Sequence, residues 1–176
     1  MTVSLYSATV PGYLQVLPAM LGMLTKAEDY CSAHNIAPAA LINARLAPDM
    51  WDFAEQIRAV ALHSGVALQG AIAGDLAPEI TDPPADFAGL RQMIATAIAQ
   101  VDAVTPEQID ALSGDFTLRF GQHRMDFTVE DFLLSFAMPN FFFHASEAYA
   151  ILRMKGVPLS KGDFLGAVRL KAPAAV

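Results

Sequence analysis

Two predicted helices of this sequence each carry one histidine on a mostly apolar surface. At about 100° of rotation per residue, Asn140, His144 and Glu147 fall on one face of a helix that begins near residue 129. The same arithmetic places Gln56 and His63 beside the apolar stripe of a helix that begins near residue 50. Neutral imidazole binds Zn, Ni or Fe, and facing helices of a bundle often assemble such ligands. The spacing therefore predicts a polar pocket between these two helices.

Each of these polar residues also has a purely structural interpretation. His144 would be a hydrogen-bonded core residue, and His63 would face solvent at the edge of its helix. Asn140 follows a proline, so its side chain would bond a backbone carbonyl that the proline leaves free. Glu147 would be a partly exposed carboxylate paired with a base elsewhere. Both interpretations stay open, because the HxxxH pair that would favour a metal is Asn140-x-x-x-His144 here.

The composition excludes several classes of protein. The chain has 176 residues, of which 54% are hydrophobic and only 16% are charged, with a net charge of -7. Disordered chains combine low hydrophobicity with high charge, and nucleic-acid-binding proteins usually have a basic surplus. The acidic pI, near 4.9, also disfavours attraction to anionic lipid. We therefore expect a compact protein that binds neither nucleic acid nor membranes.

Three uncharged stretches need a separate test as membrane segments. Residues 1–25 lack a basic region and are interrupted by prolines and glycines, which disfavours a signal peptide or a membrane span. The runs 59–74 and 132–146 are shorter than the roughly 20 residues of a spanning helix. We interpret both runs as buried helices.

Cys31 is the single cysteine, which is compatible with a reducing compartment, and a cytoplasmic location is expected.

Start and stop signals predict four long helices and one hairpin. The predicted helices span residues 6–35, 50–73, 86–103 and 129–155. Alternating apolar and polar residues around Gly121 predict a β-hairpin before the last helix, formed by residues 116–120 and 125–129. The predicted fold is an all-α four-helix bundle with this small hairpin. Residues 1–166 would form one domain, and residues 167–176 a frayed tail.

Several motifs in the sequence resemble a known family. They are Leu5–Pro11, Asn43–Met50, Pro139–His144, Ala148–Arg153, Gly156–Pro158 and Lys161–Gly166. On these residues the chain resembles an uncharacterised, domain-of-unknown-function branch of the DinB/YfiT-like superfamily. The likeness spans nearly the whole chain, and it implies the DinB/YfiT-like four-helix bundle already derived from the helix signals.

The resemblance also implies a metal site. Members of the wider superfamily often carry three metal-binding histidines, and some are thiol-dependent transferases or isomerases. By position, His144 matches the second histidine of a pair on the last helix, and Asn140 stands in the place of the first. His63 matches a histidine on the second helix, with Gln56 as a competitor. Because an amide oxygen binds Zn, Ni or Fe more weakly than imidazole, the resemblance implies a site that is weakened or has lost its metal.

Two functional hypotheses follow from the sequence. The first is a metal-dependent or thiol-transferase-type enzyme with a degenerate site formed by His63, Asn140 and His144, with Gln56 and Glu147 nearby. The second is a non-catalytic bundle without metal that binds a small molecule or dimerises, because the apolar fraction exceeds what one small core needs. A homodimer is the expected assembly, since twofold dimers are the commonest closed oligomers.

Overall fold

The protein is largely helical and includes a small mixed sheet. A computed structural model describes residues 3–171. Its elements in chain order are α1 (Leu5–His34), α2 (Ala39–Ile42), α3 (Phe53–Ala61), a π-helical segment (Leu62–Val66), α4 (Ala67–Ala73), β1 (Asp75–Leu76), α5 (Phe87–Asp102), α6 (Pro106–Asp110), β2 (Asp115–Phe120), β3 (His123–Thr128), α7 (Val129–Asp131), a second π-helical segment (Phe132–Ala137), α8 (Met138–Met154) and α9 (Lys161–Leu165). Residues 167–171 form neither helix nor strand. The rest of the predicted tail, 172–176, lies outside the described residues.

The long helices enclose one apolar core. α1 packs against α5, and α3 packs against both α5 and α8. Leu17 and Leu24 of α1 and Leu90 and Ile94 of α5 are fully buried. Burying one such side chain stabilises the fold by about 1.5–3 kcal/mol. The core therefore holds α3 beside α8, the two helices on which the candidate residues were predicted.

Both helices that carry the candidate histidines contain a π-helical segment. α3 continues through Leu62–Val66 into α4, and α7 continues through Phe132–Ala137 into α8. His63 lies inside the first segment, and the second ends three residues before Asn140. A π-helical turn changes the register of the residues that follow it and often occurs at functional sites. The sequence analysis did not predict either segment.

The predicted helix starts are confirmed except at α3. Asp86 caps α5 by accepting from the Gly89 amide at 2.7 Å, and Thr128 caps α7 by accepting from the Asp131 amide at 3.1 Å. The second helix was predicted to begin at Met50, but α3 begins at Phe53. The cap is Asp52, whose carboxylate accepts from the Glu55 amide. Asp49 therefore lies before the helix, in a segment that lines the pocket described below.

The predicted hairpin is present as part of a larger sheet. β2 and β3 pair antiparallel, with Phe120 opposite His123. Gly121 has a φ of 58° in the turn, a left-handed conformation that glycine adopts without strain. β1 adds a parallel strand next to β2, so the sheet has the order β1-β2-β3. Two residues are too few to show an alternating pattern, which is why β1 was not predicted.

The uncharged stretches belong to packed helices. Within residues 3–171, no helix combines the length and the apolar character needed to cross a membrane. Leu68 and Ala71 from the run 59–74, and Phe141 and Ala145 from the run 132–146, are buried in the core. Their interpretation as buried helices is therefore confirmed.

Candidate functional site

The side chains of His63 and His144 meet between the two predicted helices. Their ring centroids are 5.6 Å apart, and the ring planes lie within 8° of parallel. Trp51, from the segment before α3, also stacks on His144, at 5.3 Å between centroids and an angle of 17°. His144 is thus held between an indole and a second imidazole.

A hydrogen bond to Gln56 fixes the protonation of the His144 ring. Gln56 is only 2% exposed, and its Oε1 lies 2.6 Å from His144 Nδ1. The amide nitrogen of Gln56 donates to the Trp51 carbonyl at 3.3 Å. Since this nitrogen is already the donor of the amide group, the amide oxygen accepts, and we assign the imidazole proton to Nδ1. The other ring nitrogen, Nε2, keeps its lone pair.

Nε2 of His144 remains accessible. In the described part of the chain, two side-chain polar atoms are both buried and without a partner, Tyr13 Oη and Glu147 Oε2. Nε2 forms no hydrogen bond with a described residue and is not one of these two atoms, so solvent reaches it. A pocket of about 390 Å³ adjoins the ring, and we call it the His144 pocket. Its wall consists of Asp49, Met50, Trp51, Gln56, Asn140, Phe143 and His144.

Both imidazoles are neutral near pH 7. Burial lowers the pKa of His144 to about 4, and the positive charge of Arg58 contributes to this shift. Burial likewise lowers the pKa of His63 to about 4, with further contributions from His144 and Arg58. A neutral imidazole accepts a hydrogen bond or binds a metal through its unprotonated nitrogen. His144 therefore offers Nε2 as an acceptor throughout the physiological pH range.

Two half-exposed aromatic side chains frame the His144 pocket. Trp51 is 47% exposed and Phe143 is 52% exposed, and the Phe143 ring meets His144 edge to face at 5.1 Å. The guanidinium of Arg58 lies 5.5 Å from the centre of the Trp51 ring. Exposed apolar side chains around a concave surface with few polar groups are typical of small-molecule sites. This pocket can therefore take a flat apolar group beside a hydrogen-bonding atom.

The other candidate residues have different surroundings. His63 is not in the wall of the His144 pocket and lines a separate, small cavity, where its ring meets Phe136 at 5.6 Å. Asn140 is in the wall, and its amide nitrogen donates to the Phe136 carbonyl at 2.7 Å. This is a bond to the main chain, but its acceptor lies four residues before Asn140 and is not the Ser135 carbonyl that Pro139 would leave free. Glu147 lies outside the wall, and among the described residues no base pairs with it. The two histidines are neighbours, but they open into different cavities.

The residues that the resemblance assigns to a metal do not fit one as they are placed here. An ion lies in the plane of each imidazole that binds it, whereas the planes of His63 and His144 are nearly parallel. A ligating histidine usually donates its second nitrogen's proton to an oxygen. His144 has such a partner in Gln56, but His63 has none in the described chain. Within residues 3–171, no group of three or more His, Cys, Asp or Glu side chains is placed to hold an ion.

Trp51 and Phe143, which frame the pocket, and Arg58, whose guanidinium lies over the Trp51 ring, were not predicted from the sequence. Trp51 precedes α3 in a segment without regular pattern, and Arg58 reads as an ordinary charged residue on a solvated helix face. A weak signal was present, since Trp51 is the single tryptophan of the chain and lies close to a helix start. Its stacking on a residue of α8 depends on tertiary packing, which periodicity does not report.

Comparison with known proteins agrees with a DinB-like helical fold. The family model described as domain of unknown function DUF1993 matches residues 5–165, so the chain belongs to this family. It is similar to a solved structure, the 1.83 Å crystal structure of a DinB family member protein from Shewanella denitrificans. The identity is 28%, 96% of each chain is covered, and the TM-score is 0.82. No curated protein matches the chain. The predicted resemblance to an uncharacterised DinB-like branch is confirmed.

Proposed function

We propose that the chain is a small-molecule-binding protein on a DinB-like four-helix bundle, and that its ligand donates a hydrogen bond to Nε2 of His144. The observation that carries the proposal is the hydrogen bond between Gln56 and Nδ1 of His144. It leaves Nε2 as an unprotonated acceptor beside a pocket of about 390 Å³. The ligand class is a small molecule with a flat apolar body and one O–H, N–H or S–H donor.

The dimensions and chemistry of the pocket support this class. Pockets for small molecules usually measure about 300–1,000 Å³ and combine apolar walls with few polar groups. Trp51 and Phe143 supply the apolar walls, and Nε2 of His144 supplies the acceptor. One such hydrogen bond contributes a net 0.5–1.5 kcal/mol, roughly a twofold to tenfold difference in affinity. The donor therefore decides which of two similar ligands binds better.

We propose ligand binding rather than general-base catalysis because of the pKa of His144. A general base works best when its pKa lies near the working pH, and the pKa of His144 is lowered to about 4. His144 is therefore a weak base at pH 7, although it remains a good acceptor. Thiol transfer, which the resemblance implies for some members, would use the same pose, with the thiol proton directed at Nε2.

A weak divalent metal site is the second candidate function. The bond between Gln56 and Nδ1 of His144 favours it, because a ligating histidine nearly always donates its second proton to an oxygen. The ligands would be His144, the amide oxygen of Asn140, and His63 after its ring has turned. Zn, Ni and Fe are the candidate ions. Ligand binding as proposed above does not depend on the ion.

Phenol and anisole provide a matched pair of probes for the first candidate. Both have a flat apolar ring, but only phenol carries a hydrogen-bond donor. Fluorescence of Trp51, the single tryptophan, reports occupancy of the pocket in which it lies. We expect phenol to bind about threefold to tenfold more tightly than anisole. Phenylmethanethiol, whose alkyl thiol stays protonated at pH 7, is a third probe and tests whether a thiol donor is also accepted.

Replacement of one histidine locates the difference between the probes. We expect His144→Phe to remove the preference for phenol, because phenylalanine keeps the stacking but offers no acceptor. The control is His123→Phe at the exposed start of β3, which should leave the preference unchanged. Equal affinities in the unaltered protein, or a preference that survives His144→Phe, would contradict the proposal.

Metal analysis of protein purified without a histidine tag tests the second candidate. Retention of about one equivalent of Zn, Ni or Fe that is lost in both His63→Ala and His144→Ala supports a site formed by the two imidazoles. Retention below about a tenth of an equivalent after reconstitution excludes a tight site of the closed structural type. The comparison of phenol with anisole is made in protein treated with a chelator, so that its result does not depend on bound metal.

A further inference from the structure

A larger cavity lies between α3 and α5, apart from the His144 pocket. Its volume is about 520 Å³, and none of its wall residues belongs to the wall of the His144 pocket. One side is formed by α3 and the first π-helical segment, and the other by α5. Residues 78–84, which connect β1 to α5, cross over it. We call it the Arg58 cavity, after the one cationic residue in its wall.

Close backbone contacts define the edges of the Arg58 cavity. A Cβ atom added to Gly89 would lie 2.5 Å from Cβ of Pro84, so the missing side chain allows the connecting segment to rest on α5. A Cβ atom added to Gly65 would lie 3.1 Å from Cα of Ala97, so the π-helical segment also approaches the backbone of α5 closely. The absence of a side chain at both glycines allows these approaches. The concave shape thus follows from specific contacts at both edges.

The inner surface of the cavity is mostly apolar. Ala61, Leu62, Val66, Met93 and Ala97 line it from the helices. Ile80, in the segment above, also lines it and is 45% exposed. An apolar ligand would remove this isoleucine surface and the helix surfaces from water, which favours binding at roughly 25 cal/mol per Å² before the costs of association are subtracted.

Arg58 gives this apolar surface one set of hydrogen-bond donors. Its side chain is 11% exposed, and its Nε donates to Glu55 at 2.7 Å, with Nη2 bonded to the same carboxylate oxygen. Nη1 forms no hydrogen bond with a described residue, and it is not one of the two buried unpartnered atoms. Arginine has five N–H donors, so Nη1 is the part of the guanidinium that is open to a ligand.

The charges around the cavity exclude an anion as the preferred ligand. The Glu55 carboxylate already balances the positive charge of Arg58. Glu79 is also in the wall and adds a negative charge. A neutral acceptor such as a carbonyl oxygen takes the free donor without meeting this negative charge. A carboxylate would gain the same hydrogen bond but would be repelled by both glutamates.

We infer that the Arg58 cavity binds a neutral, mainly apolar small molecule through a carbonyl oxygen that accepts from Nη1 of Arg58. This site is separate from the His144 pocket and selects for the opposite hydrogen-bonding partner. The His144 pocket takes a ligand with a donor, whereas the Arg58 cavity takes a ligand with an acceptor. The two sites are nevertheless neighbours, since the Arg58 guanidinium also lies over the Trp51 ring.

Acetophenone, ethylbenzene and benzoate are probes that separate the contributions to this site. They share an aromatic ring of similar size and carry a neutral carbonyl, no acceptor and a carboxylate respectively. Methyl NMR resonances of Val66, Ile80 and Met93 report binding inside the cavity. We expect acetophenone to shift these resonances and to bind roughly fivefold to tenfold more tightly than ethylbenzene, the effect of one hydrogen bond. It should also bind more tightly than benzoate, which the two glutamates repel.

Two variants test the contact and the location. Arg58→Met keeps an extended apolar side chain but removes the donors, and should reduce acetophenone affinity to that of ethylbenzene. Arg58 also pairs with Glu55, so a second variant at the surface is needed in case the first one folds poorly. Thr96→Trp places a large ring at an exposed wall position on α5 and should abolish binding of both neutral probes.

A variant at another exposed threonine tests whether the effect of Thr96→Trp depends on its position. Thr25→Trp changes another exposed helical threonine, which like Thr96 bonds the carbonyl four residues earlier, and should leave binding intact. His144→Phe should also leave acetophenone binding intact, so failure here is distinct from failure at the His144 pocket. The inference is overturned if the cavity methyl resonances do not move, if ethylbenzene or benzoate binds as tightly as acetophenone, or if Thr96→Trp has no effect.

Discussion

Acidification should destabilise the protein through the neighbouring imidazoles of His144 and His63. In the folded protein the pKa of His63 and that of His144 are both lowered to about 4, while histidine in an unfolded chain has its ordinary pKa of 6.5. Between these values the unfolded chain binds protons that the folded protein does not. Stability is therefore fully present above about pH 6.5 and is lost as the pH falls toward 4.

The size of the effect follows from the shift for His144. At pH 4.5 the unfolded imidazole is almost fully protonated and the folded one is mostly neutral, which corresponds to a loss of about 2 kcal/mol relative to pH 7. His63 adds a smaller loss, because its side chain is partly exposed. Domains of this kind have unfolding free energies of about 5–15 kcal/mol. The loss is thus a measurable fraction of the total stability.

Urea unfolding at pH 7 and pH 4.5, followed by circular dichroism, measures this loss. His144→Phe removes one titrating group, so we expect its stability to fall by about 2 kcal/mol less than that of the unaltered protein over the same interval. His123→Phe, at the exposed start of β3, serves as the control and should follow the unaltered protein. If His144→Phe shows the same pH dependence as the unaltered protein, the assignment of a buried neutral imidazole at this position is wrong.

Two further substitutions test the packing that positions the site. Gly65→Ala should lower the free energy of unfolding by about 1–3 kcal/mol, because the new Cβ would lie 2.3 Å from the Gln100 side chain. Gly22→Ala is its control, since no atom lies within 4 Å of the added Cβ, and it should stabilise α1 by up to about 1 kcal/mol. Tyr13→Phe should leave the melting temperature unchanged or raise it, because the buried hydroxyl has no partner among the described residues. Thermal denaturation measures all three, and a large loss of stability in Tyr13→Phe would show that the hydroxyl is bonded.

Local signals predicted much of the fold. The caps at Asp86 and Thr128 lie where helices were predicted to begin. Gly156 takes the left-handed conformation, with a φ of 91°, after the last long helix. These features depend on side chains bonding backbone groups only a few residues away, so a single sequence contains the information. The hairpin was predicted for the same reason, since its turn and alternation are local.

The features that were not predicted depend on contacts between distant parts of the chain. The π-helical segments follow no residue pattern, and the hydrogen bond between Gln56 and His144 joins residues 88 apart in sequence. Helical periodicity predicted that both histidines lie on the facing sides of their helices. It did not reveal that Trp51 stacks on His144 or that His63 opens into a different cavity. The homodimer stays a prediction, and sedimentation at low concentration measures it.

The proposed function requires that the His144 pocket present an unprotonated Nε2 to its ligand. Nitrogen NMR of the imidazole side chains, recorded at pH 7 with and without phenol, measures this directly. We predict that His144 shows a protonated Nδ1 and an unprotonated Nε2, and that phenol shifts the Nε2 resonance while leaving Nδ1 nearly unchanged. A ring protonated on both nitrogens at pH 7, or an Nε2 resonance that does not respond to phenol, would contradict the claim.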